Sequence, residues 1–417
     1  MSRDAAVQII QTLREAGHVA YLAGGCVRDR LLGLSPKDHD VATDAPPDVV
    51  QKLFRRSQPV GEAFGVVLVY PDQRNRRAKN AGGLEVATFR TEGVYSDGRH
   101  PDQVEFSDAK HDAQRRDFTI NGLFEDPLHD AHPNPEADAD GVIDYVGGRA
   151  DLEAKTLRAI GDPDRRFGED YLRMLRAVRF TTRLGFALDP ATAQAVRNLA
   201  KFLGQISRER IGGELQLMLT SPHFTAAADL LQQLRLDGPT LNEDHLDAAL
   251  PTLRKLSPDA RYAAKLAAWM IDRHQFPLSA SPAELVTRWR QALCLSNYDS
   301  QTVRSILRQS LAALVWVDMP IAQRKRWLAS PVTEDAIYLL RAMEKSDPIE
   351  TDASILANDG IGISPPPIID GSDLISFGIT PGPVFKNLLD SAYDQQLEGK
   401  LKSKAQFKSQ LDRPADH

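Results

Sequence analysis

Asp38 and Asp40 flank a single histidine, His39, in the segment KDHDVAT (37–43). The stretch from Asp38 reads as the start of a β-strand, and on a strand residues i and i+2 point the same way. Two carboxylates would then face one site. That donor set suits one or two Mg2+ ions, which prefer oxygen ligands and share their shell with substrate phosphates. Such ions can activate an attacking hydroxyl and stabilise a leaving pyrophosphate. Many two-metal sites use a third carboxylate. Glu85, at the opening of LEVATFR (84–90), is the candidate, an exposed strand residue being the other reading. By itself, Asp-x-Asp is common in solvated turns. Its setting adds to it: Gly24-Gly25 and then Arg28-Asp29 stand just upstream. Paired glycines let backbone N–H groups approach a phosphate, and the N-terminus of the following helix favours anions.

A second constellation lies in EDYLRMLRAVRF (169–180). Asp170 and Arg173 are three residues apart, which makes them neighbours on one face of a helix. Asp offers acceptors and Arg offers donors. Cytosine presents an amino donor beside the N3 and O2 acceptors, and adenine presents an amino donor beside N1. Uracil and guanine present an acceptor and an N–H donor in the opposite order. Each mismatched buried polar group costs about 1–3 kcal/mol, so one Asp–Arg pair can accept C and A and reject U and G. The competing reading is an ordinary surface ion pair, worth little. Arg176 and Arg179 continue the same helix, either toward phosphates or toward solvent.

These residues need elements to hold them. HVAYLAGG (18–25) reads as a strand ending in glycines, and VRDRLLG (27–33) as a short helix stopped by Gly33. PPDVVQKLFR (46–55) is a helix with proline in its first positions. FGVVLVY (64–70) and LEVATFR (84–90) are β-branched and read as paired strands, joined by a basic surface loop at 71–83. DPLHDAHPNPEADAD (126–140) reads as a solvated insertion. From about residue 151 strand signals nearly vanish and helical periodicity takes over. An α+β head followed by an all-helical remainder is the architecture that results, with ISPPPIIDGSDLI (363–375) as a boundary before a small C-terminal helical piece.

The chain has 417 residues, long enough for two to four domains. Hydrophobic content of 42% with 26% charged residues fits a soluble globular protein. No apolar run is long enough to span a bilayer, and the N-terminus reads as an amphipathic helix rather than a signal peptide. Two cysteines far apart make no disulfide framework, so a reducing cytoplasm is the simplest home, with Cys294 read as core. A net charge of −6 argues against a protein coated in basic residues, although a local basic patch would still serve an RNA.

Four ordered segments carry a family likeness: LAGGCVRDRLLGLSPKDHDVAT (22–43), RRDFTINGL (115–123), RFGEDYLRMLRAVRF (166–180) and RERIGGEL (208–215). Together they resemble the class II tRNA nucleotidyltransferase and bacterial poly(A) polymerase family. LCLSNYD (293–299) and DGSDLISFGITPGPVFKNLL (370–389) also look like that family's later portions. The resemblance implies a polymerase-β-like head at 1–150, a helical neck at 151–220 carrying the nucleotide-selecting motif, a body at 221–362 and a tail at 363–417. It implies CTP and ATP as donors, Mg2+, and an RNA 3′ end as acceptor, without a template. It further implies that Glu169 holds Arg173, and that Arg116, Asp117 and Asn121 meet the sugar and phosphates of the incoming nucleotide. Phe118 and Ile120 are assigned to the core. Arg28 and Arg90 are further triphosphate candidates.

Within the family, FRTEGVYSDGRHPDQVEF (89–106) resembles the loop of members that add the terminal A, and PVGEAFGVVLV (59–69) the nucleotidyltransferase branch. The expected activity is therefore addition of CCA to tRNA 3′ ends. The alternatives are a poly(A) polymerase, an A-adding enzyme that needs a CC-adding partner, and an inactive RNA-binding relative. EDHLDAAL (243–250) has the wrong residue order for a phosphohydrolase site, and none is expected.

Overall fold

The computed structural model describes residues 2–60, 65–70, 82–92, 104–275, 277–278 and 281–412. Their contacts divide the chain into two units, residues 1–245 and 246–417.

The first unit opens with α1 (Arg3–Glu15), whose N-terminal amides are capped by Ser2. Then come β1 (Ala20–Ala23), α2 (Gly25–Leu31), β2 (Asp40–Thr43), α3 (Pro47–Leu53), β3 (Ser57–Pro59), β4 (Val66–Val69) and β5 (Leu84–Thr88). The β6 (Arg90–Glu92) and β7 (Val104–Phe106) strands pair with each other, and α4 (Ala109–Gln114) follows. With β8 (Phe124–Glu125) and β9 (Val142–Ile143), the main sheet runs β3-β4-β5-β2-β1-β8-β9. Only β2 and β5 pair in parallel, with Val41 beside Val86; the other pairs are antiparallel. The paired strands expected at 64–70 and 84–90 are β4 and β5. Tyr21, Phe89 and Phe124 pack ring against ring, 5.8–6.3 Å between centroids, with Ala42 and Ile143 in one cluster. The basic loop expected at 71–83 falls mostly outside the described residues, as does the loop at 93–103 between β6 and β7.

The segment 126–140 is exposed or half-exposed beyond Asp126, as expected of a solvated insertion. It is the connection between β8 and β9, and it is pinned at its base. Asp126 is buried and pairs with Arg14 at 2.9 Å, while Asn134 donates to Asp126 and to the Tyr21 hydroxyl. Asp138 accepts from the Asp140 and Val142 amides and so folds the acidic end back on itself. The acidic residues make turns rather than a loose excursion.

Helices follow: α5 (Gly148–Glu153), α6 (Pro163–Glu169), α7 (Leu172–Leu184), α8 (Pro190–Leu199), α9 (Arg208–Leu219), α10 (Phe224–Gln233) and α11 (Asp237–Leu241). Strand structure does persist here, as the two-residue parallel pair β10 (Thr156–Leu157) and β11 (Ala187–Leu188). Those runs are too short to show a period in sequence. The α7 helix ends at Gly185, whose φ of +66° ends it in the left-handed conformation glycine favours. Both α9 and α10 pack against α7.

The second unit is helical among its described residues. It begins with α12 (Pro251–Lys255), α13 (Tyr262–His274), α14 (Pro282–Leu293) and α15 (Asn297–Ala312). Trp269 and Trp289 meet edge to face at 5.8 Å in its core. Cys294 is exposed, against the expectation of a core position. It is the left-handed residue that ends α14 (φ +50°), and the apolar run around it does not control where its own side chain goes. No helix among the described residues is long and apolar enough to cross a membrane.

Candidate active site

A cleft of about 700 Å³ in the first unit gathers most of the residues singled out above. Gly24, Gly25, Arg28, Asp38, Asp40, Arg116, Asp117, Asn121, Asp170, Arg173, Arg176 and Arg179 all line it. Glu85, Arg90 and Glu169 do not, and Arg115, Phe180, Arg183 and Arg210 join it. Its wall carries eight arginines against four aspartates. A chain with net charge −6 thus concentrates positive charge where a polyanion would sit.

The acidic corner is built by the end of β1. Pairing of β1 with β2 stops at Ala23 opposite Asp40, because the chain turns sharply at Gly24. The strand therefore starts at Asp40. Asp38 lies before it, so the pleat does not align the pair as the sequence suggested; both carboxylates nevertheless line the cleft. The parallel register of β2 with β5 sets Glu85 beside Asp40. Desolvation in the cleft wall, then Glu85, then Asp38 push the Asp40 carboxyl up to about 6, against a weaker opposing pull from Arg116. Three anions thus crowd one corner. Among the described residues no three metal-ligating side chains close around an ion by themselves. Two carboxylates lining the cleft, with Glu85 beside Asp40, form an oxygen-only set that suits a hard divalent cation sharing its shell with phosphates.

Gly24 is the one glycine here with no substitute. Its φ is +71° with ψ −121°, and a Cβ built on it would lie 2.7 Å from Arg116 Nη1. Arg116 cannot simply move aside. It donates to Asp112 through Nε and Nη2 and to the Asn121 carbonyl through Nη1, and its guanidinium lies 5.0 Å from the Phe124 ring centroid.

The basic wall is α7. Arg173, Arg176, Arg179 and Arg183 are spaced three, three and four residues apart, so they share one face. Each is held by a carboxylate from a different part of the unit. Glu169, at the end of α6, accepts from Arg173 at 2.6 Å and from Arg166 at 2.8 Å. Asp117 accepts from Arg176 Nε at 2.8 Å. Glu214 of α9 accepts from Arg179 at 2.6 Å, and Asp29 of α2 from Arg183 at 3.4 Å. Arg28 bonds Asp29 and the Asn121 side chain, and Asn121 in turn donates to Asp117. A continuous chain of charge-assisted bonds runs Arg183–Asp29–Arg28–Asn121–Asp117–Arg176. Although Asp117 is fully buried, Arg176 and the Asn121 side chain hold its carboxyl down to about 2. Phe180, also on α7, lies under three guanidinium groups, those of Arg28, Arg176 and Arg179, at 4.4–5.3 Å. The phosphate and solvent readings of Arg176 and Arg179 narrow accordingly: both line the cleft, and neither is loosely solvated.

Asp170 is not on the helical face assigned to it. It ends α6 in an extended conformation (φ −149°), and α7 begins at Leu172. Its Oδ1 accepts the Leu172 amide at 3.0 Å, and the Arg173 amide donates to its carbonyl. The break between two short helices is invisible to periodicity because the apolar pattern runs through it. Asp170 does not pair with Arg173 either, so the surface ion-pair reading does not describe it. Its Oδ2 accepts from Arg210 at 2.7 Å. Arg210 was missed from the sequence, although RERIGGEL contains it; nothing in that segment alone says that its second arginine reaches 40 residues back. Phe118 and Ile120 are wholly buried, as expected.

The chain matches the family described as "Poly A polymerase head domain" over residues 20–158 and that described as "Probable RNA and SrmB- binding site of polymerase A" over 185–238. It is 32% identical over 398 residues to the CCA-adding enzyme of Lacticaseibacillus paracasei, covering 95% of this chain and 92% of that one. To the CCA-adding enzyme of Bacillus pumilus it is 40% identical over 250 residues, 59% of this chain and 58% of that protein. The fold is similar to that of the Bacillus stearothermophilus CCA-adding enzyme in complex with CTP, with a TM-score of 0.69, 27% identity, and 99% of this chain and 98% of that chain covered. A Thermotoga maritima CCA-adding enzyme complexed with tRNA-CCA shares the fold at TM-score 0.65 and 18% identity, covering 97% of this chain and 93% of that one. With this head, this helical remainder and this cleft, the chain belongs to the family of CCA-adding enzymes and is a nucleotidyltransferase.

Proposed function

We infer that the protein adds C, C and A to tRNA 3′ ends from CTP and ATP, using Mg2+ and no template, and that it works in the cytoplasm. One observation carries the reading. A single cleft holds an acidic corner for phosphoryl transfer, a fixed row of arginines, and the Asp170–Arg173 set with base-reading chemistry.

The RNA 3′-hydroxyl attacks the α-phosphate in line, forming the new phosphodiester as the bond to pyrophosphate breaks. Asp38 and Asp40, with Glu85 beside Asp40, are the residues that would hold Mg2+. When bound, that ion lowers the hydroxyl's pKa and neutralises charge on the leaving pyrophosphate. Arg28, Arg116 and Arg176 lie along the cleft where triphosphate oxygens need cationic partners. Asp117 and Asn121 act by holding Arg176 and Arg28, more than by touching nucleotide. Arg173 donates to N3 of cytosine or N1 of adenine, and Asp170 accepts from the amino group. Glu169 fixes Arg173 for that task. No covalent enzyme intermediate is needed. The helical remainder takes the tRNA through shape and phosphate contacts, so binding weakens with salt. A salt-insensitive affinity contradicts that part.

The test is incorporation with Mg2+ into tRNA ending at the discriminator base, in C-C or in C-C-A, and into a generic RNA. The expected result is restoration of C-C-A by CTP and ATP, followed by arrest. Addition of A to the C-C substrate alone would make the protein A-adding. Long ATP-only tails on any RNA would make it a poly(A) polymerase, and no incorporation would leave an RNA-binding relative.

A further inference from the structure

We propose that Arg210 is a specificity-determining positioning residue: it fixes the Asp170 carboxylate in the orientation that accepts the amino group of cytosine or adenine. The inference rests on the base-reading role of Asp170 given above.

Asp170 sits in the break between two helices, where no helical backbone fixes its side chain. Two contacts orient it instead. The Leu172 amide holds Oδ1 at 3.0 Å, and Arg210 Nη2 holds Oδ2 at 2.7 Å. The first leaves the carboxylate a hinge about that one bond; the second closes it. A carboxylate oxygen has two acceptor directions. Oδ2 can therefore keep Arg210 and still accept one N–H from a base. A carboxylate turned out of this orientation would no longer meet the amino group of cytosine or adenine, and the preference over uracil would fall.

Arg210 lines the cleft, and its one side-chain hydrogen bond among the described residues runs from Nη2 to Asp170.

Arg210 belongs to α9, which also supplies Glu214 one turn later to hold Arg179. The helix that carries it lies in the segment resembling an RNA-binding site, residues 185–238. The selecting carboxylate is therefore anchored from outside the α6–α7 motif that contains it.

The experiment measures kcat/KM for CTP and for UTP on tRNA lacking CCA, with wild-type protein, Arg210→Met and Arg210→Lys. Arg210→Met is expected to lower the CTP:UTP preference by about 10–100-fold, the value of one charge-assisted hydrogen bond. The loss should fall on the ratio, with UTP use rising relative to CTP, which a merely structural role would not produce. Arg210→Lys keeps the charge but not the planar fork, and should recover turnover with CTP while regaining only part of the preference. It also serves as the test should Arg210→Met fail to fold. If wild-type protein discriminates and both variants discriminate equally well, Arg210 is structural and the inference is wrong. If wild-type protein shows no preference for CTP over UTP, the base-reading role of Asp170 fails, and this inference with it.

Discussion

Two walls of the same cleft are built on opposite electrostatic plans. Along α7 every arginine already has its carboxylate: Glu169 for Arg173, Asp117 for Arg176, Glu214 for Arg179 and Asp29 for Arg183. At the other end desolvation first, then the neighbouring Glu85 and Asp38, push the Asp40 carboxyl up to about 6. The first wall is complete without ligand. On the proposed reading, the second becomes favourable only when cation and triphosphate are present. Binding geometry can therefore be stored in the folded chain, while the step that breaks the phosphoanhydride waits for its substrate. That division is what preorganised catalysis requires.

The largest effect should come from breaking the acidic corner. Asp40→Asn is expected to cut incorporation by roughly 10³-fold or more, since metal-assisted charge stabilisation supplies several kcal/mol. The same change should raise the melting temperature of the protein measured in a chelator, because it removes a desolvated charge together with its repulsion by Glu85 and Asp38. A lowered melting temperature would mean that the corner is stabilising by itself and would erase the contrast between the walls.

Next is the centre of the basic wall. Asp117→Ala leaves Arg176 without its buried partner and should cost about 3–5 kcal/mol of stability in a denaturant melt. A loss below about 1 kcal/mol, the range of exposed pairs, would show that the ladder is not the rigid element described. Smaller is Gly24→Ala. A Cβ at φ +71° and 2.7 Å from Arg116 Nη1 adds roughly 1–3 kcal/mol of strain and displaces Arg116. Its signature is a raised KM for CTP with modest thermal destabilisation.

The smallest effect at ordinary pH concerns Asp117 again. Its folded value of about 2 lies below its ordinary 3.8. A depressed carboxylate stabilises fully above its unfolded value and loses that contribution as protons bind the folded state. Stability from this group should therefore be flat near neutrality and decline only between about pH 4 and pH 2. Asp117→Ala should remove that acid-limb slope. An unchanged slope in the variant would assign it elsewhere.

The contrast between the walls was only half legible in the sequence. Residue types singled out Asp38, Asp40 and Glu85 as candidates, and the β-branched run of LEVATFR marked the strand that carries Glu85. The ladder on α7 was visible as helical spacing. Its partners were not: Asp29, Asp117 and Glu214 come from three separate elements, and pairings over distances of 35 to 154 residues leave no local pattern. The helix break at Asp170 was hidden for a related reason, since Tyr171 and Leu172 continue the apolar rhythm across it. In the segment 126–140 the composition showed solvent exposure but not the turn chemistry by which Asp126 and Asp138 tie down the backbone.

The most direct test of the division between the walls is the affinity of Asp40→Asn for CTP, measured by equilibrium dialysis with Mg2+ beside its rate of incorporation. If the arginine wall holds the nucleotide and the acidic corner drives the chemistry, the Kd should stay within about tenfold of wild type while incorporation falls roughly 10³-fold or more. Loss of binding in step with loss of turnover would mean that the corner is the principal binding determinant, and retained incorporation would mean that Asp40 takes no part in the reaction.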